Sequence, residues 1–327
     1  MLLAGDIGGT KTVMGLFEPT NQSVRLLRDA TFSSRDYGSF DAVVSAFLEK
    51  ESAPALGAAC FAVAGPVVDG RCQTTNLPWT LEEAALARVI GVPRVKLLND
   101  VEAAAYGMLF LPPDDYKVLN PGTDSGRKGN IAVVSVGTGL GEGILYWDGT
   151  HHHPVASEGG HADFAPRTDQ EIALLQYLAR QHGGHVSYER VLSGPGLSNV
   201  YAFLRDSGYA PETDWVAQQL QSSDPNAAIT RIGLAGQDRL CTATLEVFAS
   251  VLGAEAGNLA LKCVALGGVF IAGGIAPKIL PVLQLGGCVR AFTNKGRLSD
   301  LLQSIPVRVA LNLQAPLLGA AHYALRL

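Results

Sequence analysis

Cysteine and charged residues are both scarce in this sequence. Its five cysteines are widely spaced and include no C-x-x-C pair, which argues against a disulfide framework and against a zinc cluster. Buried free thiols are expected instead. Charged residues make up 17% of the chain and hydrophobic residues 47%. This balance is typical of a compact globular protein with a large apolar core.

Dense basic segments and long apolar runs are also missing. The net charge is −5 and the Lys and Arg residues are scattered, so we expect no nucleic acid partner. The longest apolar run, 263–276, contains four glycines and is too short to span a bilayer. No basic segment of the secretory type precedes Asp6. We therefore expect a cytoplasmic protein with no membrane partner.

The length of the chain and its alternating strand and helix patterns indicate two domains. A chain of 327 residues exceeds the size at which a single core keeps growing, and we expect two α/β domains with a cleft between them. The Pro-Pro-Asp-Asp segment at 112–115 interrupts the pattern. The predicted domains are a small one at 1–111, onto which a C-terminal helix at 312–327 packs back, and a large one at 112–311.

Local patterns predict the elements around the later motifs. Apolar spacing and short apolar runs predict three helices and two strands, namely helices 39–49, 81–90 and 101–110 and strands 58–64 and 94–98. Thr80 is expected to be the N-cap of the second helix, and Gly91 is expected to end it.

The stretch Gly5–Thr12, GDIGGTKT, is close to a P-loop but differs from it in two ways. A P-loop requires glycine where Thr10 stands, and it requires a helix after Lys11. The run at 12–17 is rich in β-branched and aromatic residues, which is typical of a strand. The stretch therefore predicts a hairpin whose tip offers backbone amides and the Asp6 carboxylate to a phosphate group. An ordinary glycine-rich hairpin is the alternative.

Two further glycine turns follow strands later in the chain. The strand at 130–136 runs into GTGLGEG and then into another strand at 144–147, which repeats the opening hairpin and predicts two related halves. The spacing of these glycines does not fit the dinucleotide fingerprint. Gly273-Gly274 ends the strand at 269–272, where ligands lie in open α/β sheets. Tight packing of a helix on the sheet is the alternative for this pair.

Several polar side chains near these turns suit a ligand that carries many hydroxyl groups. Each hydroxyl can donate and accept, so carboxylates, amides and imidazoles recognise it well. The candidates are Asn99, Asp100, Glu158, His161 and Glu189. As alternatives, Asn99 or Asp100 caps the helix that follows, and Glu158 or Glu189 is a solvated loop charge.

Six motifs in order along the chain together resemble the bacterial glucokinase family. They are GDIGGTKT, LLNDVEAAAYG, VSVGTGLGEG, SEGGHADFAP, YERVLSGPGL and AGGIAPKIL. The resemblance implies the actin-like ATPase (ribonuclease H-like) fold and the cofactors ATP and Mg²⁺. It also implies the phosphorylation of glucose at its 6-hydroxyl, and we expect a homodimer.

The same resemblance implies roles for individual residues. Nucleotide binding is implied for Asp6, Gly8, Gly9, Thr10, Lys11, Gly137, Thr138, Gly139, Gly273 and Gly274. Asp6 would lie near Mg²⁺, directly or through water. Sugar binding is implied for Asn99, Asp100, Glu158, His161 and Glu189. Asp100 would be the general base that takes the proton of the 6-hydroxyl.

The opening motif is shared with a related branch, the ROK kinases and repressors. Members of that branch usually carry a cysteine-rich zinc loop after a glycine-histidine motif, whereas His161 is followed by no cysteine before Cys241. We therefore expect no zinc requirement. Three alternatives to a glucokinase are a kinase for another hexose, a non-catalytic sugar-sensing protein of the same fold, and an actin-like filament or chaperone ATPase.

Overall fold

The computed structural model describes residues 1–21, 23–49, 55–74, 76–124 and 126–327. Within these ranges the strands are β1 Leu2–Ile7, β2 Lys11–Pro19, β3 Val24–Ser33, β4 Ala58–Val63, β5 Arg71–Gln73, β6 Thr80–Glu82, β7 Val95–Asn99, β8 Tyr116–Asn120, β9 Ile131–Val136, β10 Leu140–Trp147, β11 His152–Val155, β12 Gly268–Ala272 and β13 Val307–Ala310.

The α-helices in the same ranges are α1 Phe40–Leu48, α2 Glu83–Ile90, α3 Asp100–Gly107, α4 Asp169–Gln181, α5 Gly194–Asp206, α6 Asp214–Ser222, α7 Pro225–Leu234, α8 Arg239–Cys263, α9 Leu280–Gln284, α10 Gly287–Thr293, α11 Ser299–Ser304 and α12 Ala315–Ala324. Short 3₁₀ helices lie at Ser34–Asp36, Met108–Phe110, Pro113–Asp115, Gly159–His161, Tyr188–Arg190 and Gly296–Leu298.

The chain folds into two compact units. The first unit comprises Met1–Pro112, His151–Ala156 and Asn312–Leu327. The second unit comprises Pro113–Thr150 and Ser157–Leu311. Each unit has its own sheet and its own apolar core. Whether the predicted boundary separates two domains that fold independently stays a prediction.

The first unit contains a five-stranded sheet in the order β3-β2-β1-β4-β7. β1 and β2 form an antiparallel hairpin that places Ile7 opposite Thr12. This confirms the predicted hairpin, and the strand after the glycine turn excludes a P-loop. β4 pairs in parallel with both β1 and β7, and all six residues of β4 are buried. The carboxyl ends of β1, β4 and β7 therefore lie at one edge of the sheet.

The second unit repeats this arrangement of strands. β9 and β10 form an antiparallel hairpin, β12 is parallel to β9, and β13 is parallel to β12. The predicted repeat of the opening hairpin is thus confirmed, with β10 beginning earlier than expected, at Leu140. Among the described residues, α8 alone is long and apolar enough to cross a bilayer, and 78% of its most apolar window is buried inside the protein.

The start of the helix expected at 81–90 was predicted wrongly. Thr80–Glu82 forms strand β6, which pairs with β5, and the Thr80 hydroxyl donates to Gln73 Oε1 at 2.6 Å. Glu82, not Thr80, is therefore the N-cap residue, and α2 begins at Glu83. Gly91 ends the helix in a left-handed conformation, as predicted, with φ of 76°.

The C-terminal helix α12 packs on α3 within the first unit at the distance of backbone contact. A Cβ added to Gly319 would overlap the carbonyl oxygen of Ala103, and one added to Gly107 would overlap the carbonyl oxygen of Ala315. Backbone atoms cannot move aside as a flexible side chain can. Only glycine therefore allows α3 and α12 to approach this closely.

We predict that Gly319→Ala destabilises the protein. Alanine would stabilise an isolated helix by ~1 kcal/mol relative to glycine. Here its Cβ would overlap Ala103, and overpacking of this kind costs about 1–3 kcal/mol, so we expect the substitution to lower the stability of the protein. Gly287→Ala in α10 is the control, because its Cβ would meet only Arg290 Nη2 at 3.8 Å. Urea unfolding checks both variants, and a Gly319→Ala protein as stable as the parent would contradict the close packing.

Candidate functional site

The first glycine turn, Gly8–Thr10, is hydrogen-bonded to a buried serine, Ser34. The Ser34 hydroxyl donates to Gly8 O at 2.7 Å, and its backbone N–H donates to Thr10 O at 3.0 Å. Ser34 is 0% exposed, and its Oγ lies 2.9 Å from Thr12 Oγ1. The Gly8 N–H donates across the turn to Lys11 O at 3.0 Å. These bonds fix the shape of the turn. Glycine is required at position 9, because a Cβ there would lie only 2.6 Å from the Asn76 Cβ.

Asp6 and Asp100 lie at the ends of parallel strands in the first unit. Burial and, to a smaller extent, the negative charge of Asp100 raise the pKa of Asp6 to about 6, and Lys11 opposes the rise. The two carboxylates therefore interact at the sheet edge beside the glycine turn. A bound cation would favour the ionised form of Asp6, because binding of a metal displaces the proton from its ligand.

Asn99 caps helix α3, which confirms one of the alternatives drawn from the sequence. The Val101 N–H donates to Asn99 Oδ1 at 2.9 Å, and the Asn99 N–H donates to Glu102 Oε2 at 2.9 Å. The Asn99 side-chain amide also donates to Gly65 O at 3.1 Å. A side-chain amide has two N–H donors and an oxygen with two acceptor positions. Capping thus uses only part of the hydrogen-bonding capacity of Asn99.

The second glycine turn, Gly137–Gly139, lies against Glu189. Gly137 N–H donates to Gly139 O at 2.9 Å, which closes the turn. Glu189 Oε2 accepts from the Leu140 N–H at 2.9 Å, and a Cβ on Gly139 would be 2.5 Å from the same oxygen. Glu189 is therefore partly buried and bonded to the hairpin. The interpretation of Glu189 as a solvated loop charge is wrong.

The second unit brings the Gly273-Gly274 pair next to the same turn. Gly273 has φ of 87°, and a Cβ there would overlap Val136 O. Ile275 N–H donates to Val136 O at 3.1 Å. The next helix, α9, starts only at Leu280. Glycine at 273 is therefore needed for close approach to β9, whereas the position at Gly274 is open, with nothing within 4 Å of an added Cβ.

The N-terminus of α5 also reaches this turn, a contact that the sequence did not predict. The Gly194 N–H donates to Gly137 O at 2.8 Å. Ser193 is the N-cap, and its Oγ accepts from the Gly196 N–H at 3.0 Å. The Ser-Gly-Pro start is a recognisable helix signal, and a helix N-terminus favours an anion. The start of α5 is therefore part of the same candidate anion-binding region as the second glycine turn.

Glu158 precedes a 3₁₀ turn that packs on β10, and His161 is the last residue of that turn. A Cβ on Gly160 would overlap Leu140 O, and one on Gly159 would overlap Glu142 Oε2. His161 N–H donates to Glu158 O at 3.0 Å. The two glycines thus fit the turn onto the strand, while Glu158 and His161 are exposed and can contact a ligand.

Candidate metal ligands do not cluster among the described residues. Over the ranges that the structure describes, no group of three or more His, Cys, Asp or Glu side chains is arranged to hold a metal ion. A single carboxylate such as Asp6 suits Mg²⁺, which usually keeps several waters and binds through one or two carboxylates and the phosphates of a substrate.

Comparisons with known proteins agree with this arrangement. The family model described as Glucokinase matches residues 3–327. A glucokinase of Nostoc punctiforme is 43% identical over 340 residues, which cover 100% of this chain and 99% of the relative. The crystal structure of a glucokinase from an Antarctic psychrotroph has a TM-score of 0.87 at 32% identity, over 100% of this chain and 99% of that one.

A more distant structure shares the fold. The ROK family glucokinase from Streptomyces griseus, solved in complex with glucose and AMPPNP, has a TM-score of 0.65 at 21% identity over 99% of each chain. The repeated strand arrangement, the glycine turns at strand ends and these structural matches define a sugar kinase with the actin-like ATPase fold. The chain belongs to the glucokinase family. The fold and the family that the sequence motifs predicted are thus both confirmed.

We predict that Ser34→Ala weakens the first glycine turn. It removes the hydroxyl that donates to Gly8 O in a buried place, and an unsatisfied buried group costs about 1–3 kcal/mol. We expect lower stability together with weaker binding of ATP, the nucleotide that the resemblance implies. Calorimetric titration with ATP and thermal melting check the two effects.

The matched control is Ser39→Ala. Ser39 Oγ accepts from Ala42 N–H at 3.3 Å as the N-cap of α1, so its loss costs ~0.5–2 kcal/mol of stability without touching the turn. If Ser34→Ala and Ser39→Ala affect ATP binding equally, Ser34 does not shape the nucleotide site.

Proposed function

We propose that this protein is an ATP-dependent glucokinase that transfers a phosphoryl group to the 6-hydroxyl of glucose and so makes glucose 6-phosphate. The observation that carries the proposal is the match to the glucokinase family over residues 3–327. Phosphoryl transfer depends mainly on positioning and on charge stabilisation. Turn amides, a metal ion and one base are sufficient for it.

The glycine turns supply the proposed nucleotide contacts in each unit. In the first unit, the phosphates would meet Gly8, Gly9, Thr10 and Lys11. In the second unit, Gly137, Thr138 and Gly139 would bind phosphate, and Gly273-Gly274 would bind adenosine. The open position at Gly274 and the bonded, closed turn at Gly137 support these roles. Amides of a fixed turn can stabilise phosphate charge without rearranging.

Mg²⁺ is the proposed metal, with Asp6 as its protein ligand, directly or through water. The fit rests on the position of Asp6 near the end of β1, beside the first glycine turn and the negative charge of Asp100, where a cation would relieve the repulsion between the two carboxylates. When bound, Mg²⁺ supplies positive charge to the phosphate oxygens of ATP. The Lys11 ammonium would add a second positive charge at the same turn.

The proposed sugar contacts are Asn99, Asp100, Glu158, His161 and Glu189. Asp100 is the proposed base: its carboxylate accepts the proton of the 6-hydroxyl as the sugar oxygen forms its bond to the γ-phosphorus and ADP leaves. Asp100 is the first residue of α3, where the positive end of the helix dipole attracts a negative group. Asn99 has hydrogen-bonding capacity left after capping, and Glu158 and His161 are exposed.

We further propose that the protein is cytoplasmic, forms a homodimer and has no nucleic acid or membrane partner. The net charge of −5 and the burial of most of α8 support the last two points. Light scattering in solution checks the homodimer, and a single-chain mass would reject it.

We predict that Asp100→Asn lowers kcat by about 10²–10⁴-fold, which is roughly 3–5 kcal/mol of barrier. Asparagine can still bind a sugar hydroxyl, but its amide cannot accept the proton. Helix α3 should keep its start, because Asn99 is the cap. Steady-state kinetics with glucose and ATP give kcat, and calorimetry gives glucose affinity, which should change far less.

Asp41→Asn is the control for this variant. Asp41 lies in the first turn of α1, so the change removes the same charge from a comparable position away from the proposed base. We expect nearly parental kinetics from it. An Asp100→Asn enzyme that turns over near the parental rate would exclude Asp100 as the base, and a parent with no turnover on glucose but turnover on another hexose would favour the alternative kinase.

We predict that activity requires Mg²⁺ and no zinc. Treatment with a chelator should abolish turnover, and added Mg²⁺ should restore it, because the metal acts with ATP and not as a structural ion. Metal analysis of the purified protein should find far less than one zinc per chain. Stoichiometric zinc whose removal inactivates the enzyme, with recovery on zinc alone, would overturn this prediction.

A further inference from the structure

Glu142 is a buried acidic residue that the proposed reaction does not use. It lies on β10, is 1% exposed, and its Oε2 lies directly against Gly159. Its Oε1 is buried and accepts no hydrogen bond from the described residues. A buried carboxylate oxygen without a donor is costly, so its protonation state needs a physical explanation.

A second buried acid, Glu255 of α8, faces Glu142. Glu255 is 0% exposed, and its oxygens already accept from Lys262 Nζ at 3.3 Å and from Asn258 Nδ2 at 2.7 Å. Glu255 therefore has the donors that stabilise a carboxylate, whereas Glu142 has none at Oε1. A proton on Glu142 would give that oxygen a partner, because the new O–H donates to Glu255.

The charges around the pair agree with this assignment. Burial, together with the charge and hydrogen bonding of Glu255, raises the pKa of Glu142 to about 8, and Lys262 opposes the rise. The Lys295 ammonium, which interacts with the charge of Glu255, donates to Ala254 O at 2.9 Å and to Asn258 Oδ1. Glu158 and His161, on the turn packed against Glu142, are exposed to solvent.

The same network reaches both segments that carry proposed sugar contacts in the second unit. On one side, Glu142 supports Gly159, which follows Glu158. On the other side, Asn258 Nδ2 donates to the Tyr188 hydroxyl at 3.0 Å, and Tyr188 precedes Glu189. The two segments are themselves joined, because Tyr188 N–H donates to Ala162 O at 3.0 Å.

We propose that Glu142 is a positioning residue for sugar binding, which holds a proton, donates it in a hydrogen bond to Glu255, and thereby fixes the Gly159–His161 turn. The proposal rests on the proposed glucokinase function. Ionisation of Glu142 would place a second negative charge beside Glu255, and repulsion between the two would displace the turn from β10. Glucose affinity should then fall while the chemistry at Asp100 stays intact.

Glu142→Gln tests the proposal, because glutamine has the same shape, stays neutral at every pH and can donate to Glu255. We expect the parent's KM for glucose to rise above about pH 8, by at most about tenfold per pH unit, with little change in kcat at saturating glucose. Glu142→Gln should show a flat KM over about pH 7 to 9.5. Glu246→Gln, an exposed position of α8, is the control and should follow the parent.

A second measurement separates this proposal from the proposed function. The pKa of Glu142 in the folded protein, about 8, lies above the ordinary glutamate value of 4.5, so the unfolded chain releases the proton first as the pH rises. Parental stability should therefore fall relative to Glu142→Gln between about pH 4.5 and 8 and change no further above it. Thermal melting shows this difference whether or not glucose is a substrate, and calorimetry measures glucose affinity without turnover.

The outcomes are distinct. A parent that does not phosphorylate glucose rejects the proposed function, while the melting curves still test the protonated pair. A constant difference in melting temperature over the whole pH range, or the same alkaline rise of KM in parent and Glu142→Gln, overturns the role of Glu142. A flat KM in Glu246→Gln would also overturn it, because the effect would then not be specific to the buried pair.

Discussion

The register of the parallel strands in the first unit is the constraint on which its candidate site depends. Ile7 pairs with Val63, and Val63 pairs with Asn99, so the side chains that follow these strands meet at one edge. A slip of one residue would turn every side chain of a strand to the opposite face. β4 is buried on both faces, so a slip would exchange large and small side chains, such as Phe61 and Ala62, between two packed layers, and the packing opposes it. The apolar core therefore determines the distance between Asp6 and Asp100.

Each unit holds two acidic side chains close together, and their surroundings decide what relieves the repulsion. Two neighbouring carboxylates in a buried place can be stabilised by a proton or by a cation. Asp6 and Asp100 lie at the open end of a sheet beside a glycine turn, where a cation with its phosphates can approach. Glu142 and Glu255 are buried; Lys262 stabilises the charge of Glu255, and a proton on Glu142 would relieve the remaining repulsion. The first pair is therefore suited to metal binding and proton transfer, and the second pair is suited to positioning the turn that carries proposed sugar contacts.

The sequence predicted those features whose causes are local. Both hairpins were predicted because glycines next to β-branched and aromatic runs are signals within a few residues. The role of Ser34 was missed, because a serine far along the chain carries no signal that it will meet Gly8. Glu142 was also missed, although it lies two residues from buried Leu140 on the same strand, and this alternation indicates the buried face. Thr80 was wrongly predicted to be the N-cap of α2, because its pairing with Gln73 in the two-stranded sheet of β5 and β6 overrides its capping preference.

The beginning of α3 shows how one turn can serve both the fold and the site. The capping bonds use Asn99 and Glu102, so the helix has an N-cap that does not require the charge of Asp100. That charge still raises the pKa of Asp6, and this repulsion lowers the stability of the free protein. The same carboxylate also accepts from the Val101 N–H at 2.9 Å and lies at the positive end of α3, which offsets part of this cost. An acid that raises the pKa of a second acid beside a glycine turn is typical of a functional site.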